Sequence, residues 1–231
     1  MKNLKNDNEL SWSSVVANNA MNRKRVASGV NSYEKDIKIN IESYLKGIEN
    51  EQEVRWVDLC CGEGNALLEV ANILKKEVNS YRYKLEGIDL VGYFNPSVFE
   101  AKDILEVSET NLSDWKTDLK YDLITIVHGL HYTGDKLKLI RYAASRLKND
   151  GMLLANLDIK DIEITNEVDS KKAIQKYFRK ENIDYNLRTK LLSIEGNKNM
   201  QDDFIYLGAD DKAGANYTGQ DVVKSYYKKR K

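Results

Sequence analysis

The segment Glu53–Asn65, EVRWVDLCCGEGN, decides the fold of this 231-residue chain. It begins with a short apolar run, ends in a turn with two glycines, and leads into ALLEVANILKKEVN, where Leu67, Ala71 and Leu74 recur at helical spacing. The pattern predicts a strand, a tight loop and a helix. Small residues in such a loop let a ligand approach the backbone, and amide N–H groups at the helix N-terminus point outward. We therefore expect a nucleotide-like ligand at this turn.

The strand signal recurs along the chain. Apolar runs at 83–90, 121–130 and 151–158 predict strands, and a further short strand is predicted within Pro96–Asp103. The run LITIV suits a strand that is buried on both faces. Strands alternate with helical segments as far as Asp158, which predicts an α/β fold with a mostly parallel sheet and helices on both faces. Helical spacing indicates the intervening helices.

Those helices are predicted over Asn31–Ile48, near Ser170–Lys180, and over a segment that starts at Thr133 or Asp135 and ends before Gly151. The first of them is amphipathic, with its apolar residues on one face. We expect all three to pack against the sheet.

The C-terminal part breaks the alternation. Strand-like runs at Leu191–Glu195 and Phe204–Leu207 are joined by a segment too short for a crossover helix, so we expect an antiparallel hairpin that completes a seven-stranded sheet. A capping-box pattern at Thr218–Asp221 predicts a last helix over VVKSYYKK. The loop Gly208–Gly219 is predicted to be an active-site flap with Tyr217 as a substrate contact, and disorder is the alternative.

Composition and charge are those of an ordinary folded protein. Hydrophobic residues make up 42% of the chain and charged residues 31%, and 36 basic residues balance 36 acidic ones. No global electrostatic footprint of a nucleic-acid binder is present. With one proline and no repeated or glycine- and serine-rich segment, we expect one core at 51–208. A helical extension or lid at 1–50 precedes it, and a flap loop and helix at 209–231 follow.

The only two cysteines, Cys60 and Cys61, are adjacent, which excludes an ordinary disulfide between distant segments and gives no zinc-ligand spacing. No apolar run approaches the roughly 20 residues of a membrane span, and the polar start is unlike a signal peptide. We expect a cytoplasmic protein without a membrane or nucleic-acid partner, and we leave monomer and homodimer both open.

Acidic residues follow the predicted strands. Asp58 precedes the glycine turn, Asp89 ends the second strand and Asp103 ends the predicted third strand. Ligands of open α/β sheets bind at the carboxyl ends of the strands. A carboxylate at Asp89 can accept two ribose hydroxyls, and one at Asp103 can accept from an exocyclic amino group. Each alone is also typical of a solvated strand end, but three beside a glycine turn favour a ligand site.

These motifs resemble the class I S-adenosylmethionine-dependent methyltransferases, whose first motif is an acidic residue before a G-x-G-x-G-like turn. The resemblance runs from about Arg55 to Asp158 and includes Asp58 to Gly64, the acidic strand ends, YDLITI and GMLLANLD. It implies a Rossmann-like fold, S-adenosyl-L-methionine as cofactor and methyl transfer as the activity. The departure is Cys60, which stands where the family has its first glycine.

The resemblance also implies roles for single residues. Gly62 and Gly64 would line the cofactor, with Asp58 near its amino group. Asp89 would hold the ribose, Leu90 would pack on the adenine, and Asp103 would meet the adenine amino group. The predicted cofactor-binding set is Asp58, Cys60, Gly62, Gly64, Asp89, Leu90, Asp103, Ile104 and Val127. A dinucleotide-binding fold fits less well, because its fingerprint has three glycines and an acidic residue about 20 positions further on.

The segment VHGLHYTGD holds both histidines of the chain at the end of the fourth predicted strand. In the resembled family this strand end faces the transferable methyl group. An imidazole there can take a proton from a hydroxyl or a protonated amine, so His131, His128 and Tyr132 are the catalytic candidates, with His131 favoured as base. A structural hydrogen bond from His128 to the backbone is the alternative. A metal site completed by Asp158 or Asp161 is disfavoured, because histidines at i and i+3 face one way only in a helix.

The N-terminal run NNAMNRKRVASGVNSYEKD is a candidate lid on the substrate side. Arg23 and Arg25 can hold a carboxylate or phosphate, and Tyr33 can cover the cofactor. A solvated basic loop is the alternative.

Together these features predict a methyltransferase that uses S-adenosyl-L-methionine and acts on an oxygen or nitrogen of a small molecule or peptide. Methylation of a protein or RNA is one alternative. A non-catalytic protein that keeps the fold and binds the cofactor is the other.

Overall fold

The computed structural model describes residues 4–17, 23–49 and 52–230 of the chain. Its strands are β1 (Val54–Leu59), β2 (Tyr83–Asp89), β3 (Leu105–Glu109), β4 (Tyr121–Ile126), β5 (Leu147–Asn156), β6 (Ile162–Ile164), β7 (Asp184–Asn186), β8 (Leu191–Glu195), β9 (Phe204–Asp210) and β10 (Lys224–Lys229). Its α-helices are α1 (Asp7–Ser11), α2 (Ser14–Ala17), α3 (Tyr33–Ile37), α4 (Ile41–Lys46), α5 (Asn65–Leu74), α6 (Lys136–Ser145) and α7 (Ser170–Lys180). No helix in the described part of the chain is long and apolar enough to cross a membrane.

Seven strands form the central sheet in the order β3-β2-β1-β4-β5-β8-β7. The first five are parallel to one another, β8 runs antiparallel to β5, and β7 runs antiparallel to β8. The strand order reverses at β1 and β4, and the crevice outside such a switch point is where open α/β sheets bind ligands. The predicted fold class, α/β with a seven-stranded and mostly parallel sheet, is confirmed.

The sheet separates two hydrophobic clusters. Apolar residues of α3, α4 and α5 pack on one face, around Trp56 and Leu123. Those of α6 and α7 pack on the other face, around Ile124 and Tyr121. Because Tyr33, Ile37, Ile41 and Leu45 belong to the first cluster, the chain from α3 onward packs as part of the core and not as a separate extension.

Several predicted elements match the structure at their ends. Helix α7 spans the predicted residues, and the side chain of Asp169 caps it by accepting from the amide of Lys172. Asp135 caps α6 in the same way through the amide of Lys138. Helix α6 is shorter than predicted, since it ends at Ser145 and β5 begins at Leu147.

The predicted helix over Asn31–Ile48 is two short helices. Helix α3 ends at Ile37, its C-cap residue Lys38 adopts the left-handed conformation with φ 65°, and α4 starts after a new cap at Asn40. The apolar face is continuous because both helices bury their apolar residues in the same cluster. Helical spacing alone does not reveal a break of this kind.

The predicted third strand within Pro96–Asp103 is wrong. Pro96–Ala101 forms a 3-10 helix, and the strand follows at Leu105–Glu109. Proline fixes φ near the helical value and lacks an N–H, so it suits the first turn of a helix better than a central strand.

An antiparallel pair, β7 with β8, completes the seven-stranded sheet, but the predicted pairing of Leu191–Glu195 with Phe204–Leu207 is wrong, and so is the predicted last helix. Strand β8 pairs with β5 and with the unpredicted β7, whereas β9 joins a second sheet of three strands in the order β6-β10-β9. Lys224–Lys229 is the strand β10, which pairs parallel to β6 and antiparallel to β9. Its residues Ser225, Tyr226 and Tyr227 are buried, and tyrosine favours strands.

Candidate active site

A cleft opens at the carboxyl ends of β1, β2 and β4, where the strand order reverses. Eight residues predicted as site residues line it: Arg23, Cys60, Gly62, Asp89, Leu90, Val127, His128 and Tyr132. Residues that were not predicted complete the lining, from the N-terminal helices, the loop after β3, and α6 with its preceding loop. They are Asp7, Leu10, Ser11, Val16, Asn111, Leu112, Ser113, Lys116, Gly129, Thr133, Gly134, Asp135, Lys138, Leu139 and Tyr142.

The turn between β1 and α5 is held tightly against β2. The amides of Cys60 and Cys61 both donate to the carbonyl oxygen of Ile88, at 2.7 and 3.1 Å. Cys60 has φ 65°, a left-handed conformation that glycine adopts without strain. Gly62 has φ 62°, and a Cβ atom there would lie 2.7 Å from Cα of Arg23. Glycine is therefore required at position 62, whereas cysteine is accommodated at position 60.

The two thiols of the turn are free; Cys61 is buried, and Cys60 is half-buried in the wall of the cleft. Burial raises the pKa of Cys60 well above its usual range, and nearby Asp89 and Asp58 raise it further. Burial raises the pKa of Cys61 in the same way. Both side chains are neutral thiols at neutral pH, so neither is an activated nucleophile.

Asp89 is the carboxylate nearest to the glycine turn on the cleft side. Its Oδ2 accepts from the Gly62 amide at 2.9 Å, and its Oδ1 accepts from the Val91 amide at 3.0 Å and from Arg23 Nη1 at 3.1 Å. The residue is only 7% exposed, and burial raises its pKa although these hydrogen bonds and Arg23 oppose the shift. Arg23 thus contacts a cofactor-binding candidate, which differs from its predicted role of holding a substrate anion.

Asp58 lies beneath the turn and does not line the cleft. It is fully buried, with Oδ2 accepting from the Tyr33 hydroxyl at 2.7 Å and Oδ1 from the Thr125 hydroxyl at 2.6 Å. Burial raises the pKa of Asp58 to about 7, against the opposite effect of these two hydrogen bonds. The predicted contact of Asp58 with the cofactor's amino group does not agree with this position. Tyr33 is a core residue, 3% exposed, and not the predicted cover of a ligand.

Asp103 and Ile104 precede β3, so they lie at the amino ends of the parallel strands, on the side of the sheet away from the cleft. The Asp103 side chain is 79% exposed and lies 3.8 Å from Lys75, while Ile104 is buried in the core. The structure does not bring these two residues to the cleft, because the third strand comes later than predicted, at Leu105–Glu109. The loop after β3 contributes Asn111, Leu112 and Ser113 to the cleft instead.

His131 is fully buried and does not line the cleft. Its Nδ1 lies 3.2 Å from Nδ2 of Asn216 and 3.4 Å from Oδ2 of Asp161, and its Nε2 lies 3.5 Å from the Tyr217 hydroxyl. Its carbonyl oxygen accepts from the Val223 amide at 2.9 Å. Burial lowers the pKa of His131, although Asp161 opposes this. Its contacts anchor the C-terminal loop, and the predicted flap residue Tyr217 packs edge-on against its ring.

His128 follows β4 in the left-handed conformation, with φ 60° and ψ −8°. It lines the cleft, and neither ring nitrogen makes a hydrogen bond to any residue that the structure describes. The predicted alternative, a structural hydrogen bond to the backbone, is therefore wrong. Its Nε2 lies 3.5 Å from Oδ2 of Asp36. Asp36 also pairs with Arg25, so Arg25 is engaged by this carboxylate.

Tyr132 lines the cleft, and its hydroxyl donates to Oε1 of Gln220 at 2.7 Å. Gly64 has φ 76° and lies directly before α5, outside the residues that line the cleft. Within the described residues, no three or more His, Cys, Asp and Glu side chains are arranged to hold a metal ion. The predicted lid falls partly outside the described residues, at 18–22, and its described part includes Arg23 on the glycine turn.

Comparison with known proteins finds one protein family. A family model described as a methyltransferase domain matches residues 33–184, which is more than half of the chain. A search of curated proteins finds no significant match.

Among solved structures the chain is similar to three methyltransferases. An S-adenosylmethionine-dependent methyltransferase from Clostridium acetobutylicum is 20% identical, with 54% of this chain and 50% of that chain covered and a TM-score of 0.41. The plantazolicin methyltransferase BpumL, solved with SAH, is 19% identical, with 50% and 43% covered and a TM-score of 0.39. An O-methyltransferase from a trans-AT PKS multienzyme of Brevibacillus brevis, solved with S-adenosyl-L-homocysteine, is 14% identical, with 69% and 47% covered and a TM-score of 0.43. The match spans half or less of each solved chain.

Proposed function

We propose that this chain, which belongs to the methyltransferase domain family, transfers a methyl group from S-adenosyl-L-methionine to an oxygen or nitrogen of a small molecule or a peptide. The observation that carries the proposal is the position of Asp89. Its carboxylate is bound to the Gly62 amide at 2.9 Å, in the cleft outside the switch point of the sheet. A nucleoside ligand binds at this place in open α/β sheets.

The half of the cleft beside the glycine turn is the proposed donor site. Asp89 would accept the ribose hydroxyls, and the backbone of Gly62 and Cys60 would lie along the methionine portion. Leu90 and Val127 supply apolar surface for the adenine. Asn111 lines the same cleft after β3. Its side-chain oxygen accepts from the Ser113 amide at 3.0 Å and would accept a second hydrogen bond, from the adenine amino group, in place of Asp103.

The other half of the cleft is the proposed acceptor site. Leu10, Val16 and Leu139 give it an apolar lining, while Asp135 and Lys138 give it carboxylate and ammonium groups. Such a pocket, apolar with a few polar groups, is typical of small-molecule and peptide sites. The balanced charge of the chain does not favour RNA as the acceptor.

The bound donor would supply a sulfonium methyl group that is open to in-line displacement. The protein's own contribution is to hold donor and acceptor in line and to exclude water, because positioning alone lowers such a barrier greatly. The N-terminal helices and Arg23 lie over the cleft and serve this purpose. The free thiols of Cys60 and Cys61 support the further proposal of a reducing compartment such as the cytoplasm.

The test is incubation with methyl-labelled donor and a host extract separated into metabolites, peptides, proteins and RNA. Label in a metabolite or peptide supports the proposal. Label confined to protein or RNA would show that the acceptor is a macromolecule and not a small molecule or peptide. Donor binding by calorimetry with no transfer to any fraction would indicate a cofactor-binding protein without catalysis.

A further inference from the structure

His128 combines two unfavourable features at one residue of the cleft. It is 5% exposed, yet within residues 4–17, 23–49 and 52–230 neither ring nitrogen has a hydrogen-bond partner, although most buried polar groups are hydrogen-bonded. Its backbone is left-handed, with φ 60°, which costs a residue other than glycine about 1 kcal/mol or more. Strained residues and unsatisfied groups of this kind concentrate at functional sites.

The second histidine has the opposite environment. Both ring nitrogens of His131 have partners in Asn216, Asp161 and Tyr217, and the residue does not line the cleft. The two rings are 5.6 Å apart between centroids. Both ring nitrogens of His128 are shielded from solvent but make no hydrogen bond to the described residues. A group that moves in from the cleft would therefore displace no hydrogen bond of this ring, whereas His131 would have to give up its contacts.

Asp36 is placed to orient the His128 ring. Its Oδ2 lies 3.5 Å from Nε2, and Arg25 holds the same carboxylate in position. Although Asp36 is not hydrogen-bonded to the ring, a carboxylate this near to Nε2 favours the tautomer with its proton on that nitrogen, which leaves the other nitrogen as a proton acceptor. For His128 this acceptor is Nδ1.

We propose that His128 is the base of the methyl transfer and that Asp36 is its positioning residue; the inference rests on the proposed function. A lone pair of the acceptor oxygen or nitrogen forms the new bond to the methyl carbon, and the carbon–sulfur bond breaks with its electron pair left on the sulfur. The proton of the acceptor passes to Nδ1 of His128 and then to solvent. The products are a methylated acceptor, a neutral thioether and a released proton.

The test compares variants that keep the left-handed backbone. Asparagine and glycine tolerate positive φ, so His128→Asn removes the basic ring with little strain. The matched control is Lys38→Asn, since Lys38 is exposed, has φ 65° and is not among the residues that line the cleft. With the acceptor found by the labelling experiment, His128→Asn is expected to lower kcat/KM by about 10²-fold or more. Its affinity for S-adenosylhomocysteine and the activity of Lys38→Asn should stay at the wild-type level.

Two further variants separate a chemical role from a structural one. Free imidazole should raise the activity of His128→Gly at least fivefold, whereas it should not raise the activity of His128→Asn. Asp36→Asn should lower kcat with little change in KM, because it affects the orientation of the base and not acceptor binding. Activity of His128→Asn within threefold of wild type would overturn the proposal, as would a His128→Gly variant that imidazole does not restore.

Different results would overturn the proposed function and the proposed role of His128. Wild-type protein that binds no S-adenosylhomocysteine and labels no fraction would overturn the proposed function, and the role of His128 with it. Wild-type protein that transfers methyl groups equally well after His128→Asn would overturn only the role of His128.

Discussion

The Nη1 atom of Arg23 donates a hydrogen bond to Oδ1 of Asp89 at 3.1 Å, and its Nη2 donates one to the carbonyl oxygen of Val91 at 2.7 Å. The carbonyl of Arg23 accepts from the Glu63 amide at 2.9 Å. The N-terminal segment is thus fastened to the glycine turn through the carboxylate that is proposed to hold the ribose. A ribose hydroxyl and this guanidinium would compete for the same oxygen.

Loss of this competitor should strengthen donor binding. Arg23→Ala leaves the Asp89 carboxylate buried without its cation, which destabilises the unliganded state and favours the complex. We expect it to bind S-adenosylhomocysteine severalfold more tightly by calorimetry. Lys24→Ala, which removes an exposed charge from the same loop, should bind like wild type. Weaker binding by Arg23→Ala would show instead that the guanidinium contacts the ligand.

Asp58 should make stability depend on pH. Its folded pKa of about 7 is above the value near 3.9 of an unfolded aspartate, so the folded state binds the proton more tightly. The contribution is present below pH 4 and is lost as the pH rises through 7. The free energy of unfolding of wild type, relative to Asp58→Asn, should therefore fall by on the order of a few kcal/mol between pH 4 and 8. Urea unfolding at several pH values measures it, and parallel curves for the two proteins would contradict it.

Lys136 should have the opposite pH dependence at higher pH. It is fully buried and donates to the carbonyls of Thr133 and Val223 and to the Ser225 hydroxyl, and burial lowers its pKa to about 8. The unfolded chain then binds the proton more tightly, so stability rises with pH between 8 and about 10.4. The free energy of unfolding of wild type should increase relative to Lys136→Met over this range. A decrease in chemical-denaturation experiments would contradict the burial of a charged amine.

Substitution of His131 should lower the stability of the fold and should not affect the methyl-transfer step itself. Its ring and carbonyl anchor the loop at Asn216, Tyr217 and Val223, so His131→Ala leaves several buried groups unpaired. We expect a loss of about 2–4 kcal/mol in the free energy of unfolding and faster hydrogen exchange at residues 211–223. Wild-type stability together with a 10²-fold loss of turnover would restore His131 as the base that the sequence favoured.

The parts of the fold that could be predicted are those set by local pattern. The strand, turn and helix around Gly62, the buried run of β4 and the position of Asp89 all depend on residues close in sequence. The alternating pattern of LEVSE, with Leu105 and Val107 on one face, does indicate the third strand. The apolar residues around Pro96 give a competing strand signal. The same signal places a strand end at Asp103, which in the structure lies before β3 and away from the cleft.

Other features depend on contacts between distant segments. The pattern at Thr218–Asp221 suits a helix cap, but pairing with β6 and β9 buries Tyr227 and makes the following residues a strand. The roles of the two histidines likewise depend on Asp36 and Asn216, which lie far from both in the chain. Spacing within VHGLHYTGD could identify the pair but could not say which ring lines the cleft.

Calorimetric titration with S-adenosylhomocysteine tests the central claim most directly. Wild type should bind one ligand per chain, and Asp89→Ala should weaken binding by about 10-fold or more, because a hydrogen bond to a charged group contributes about 1.5–3 kcal/mol. Asp103→Ala is the matched control, since this aspartate is exposed at the other edge of the sheet, and it should bind like wild type. No binding by wild type, or equal binding by wild type and Asp89→Ala, would contradict the assignment of the cleft as a methyl-donor site.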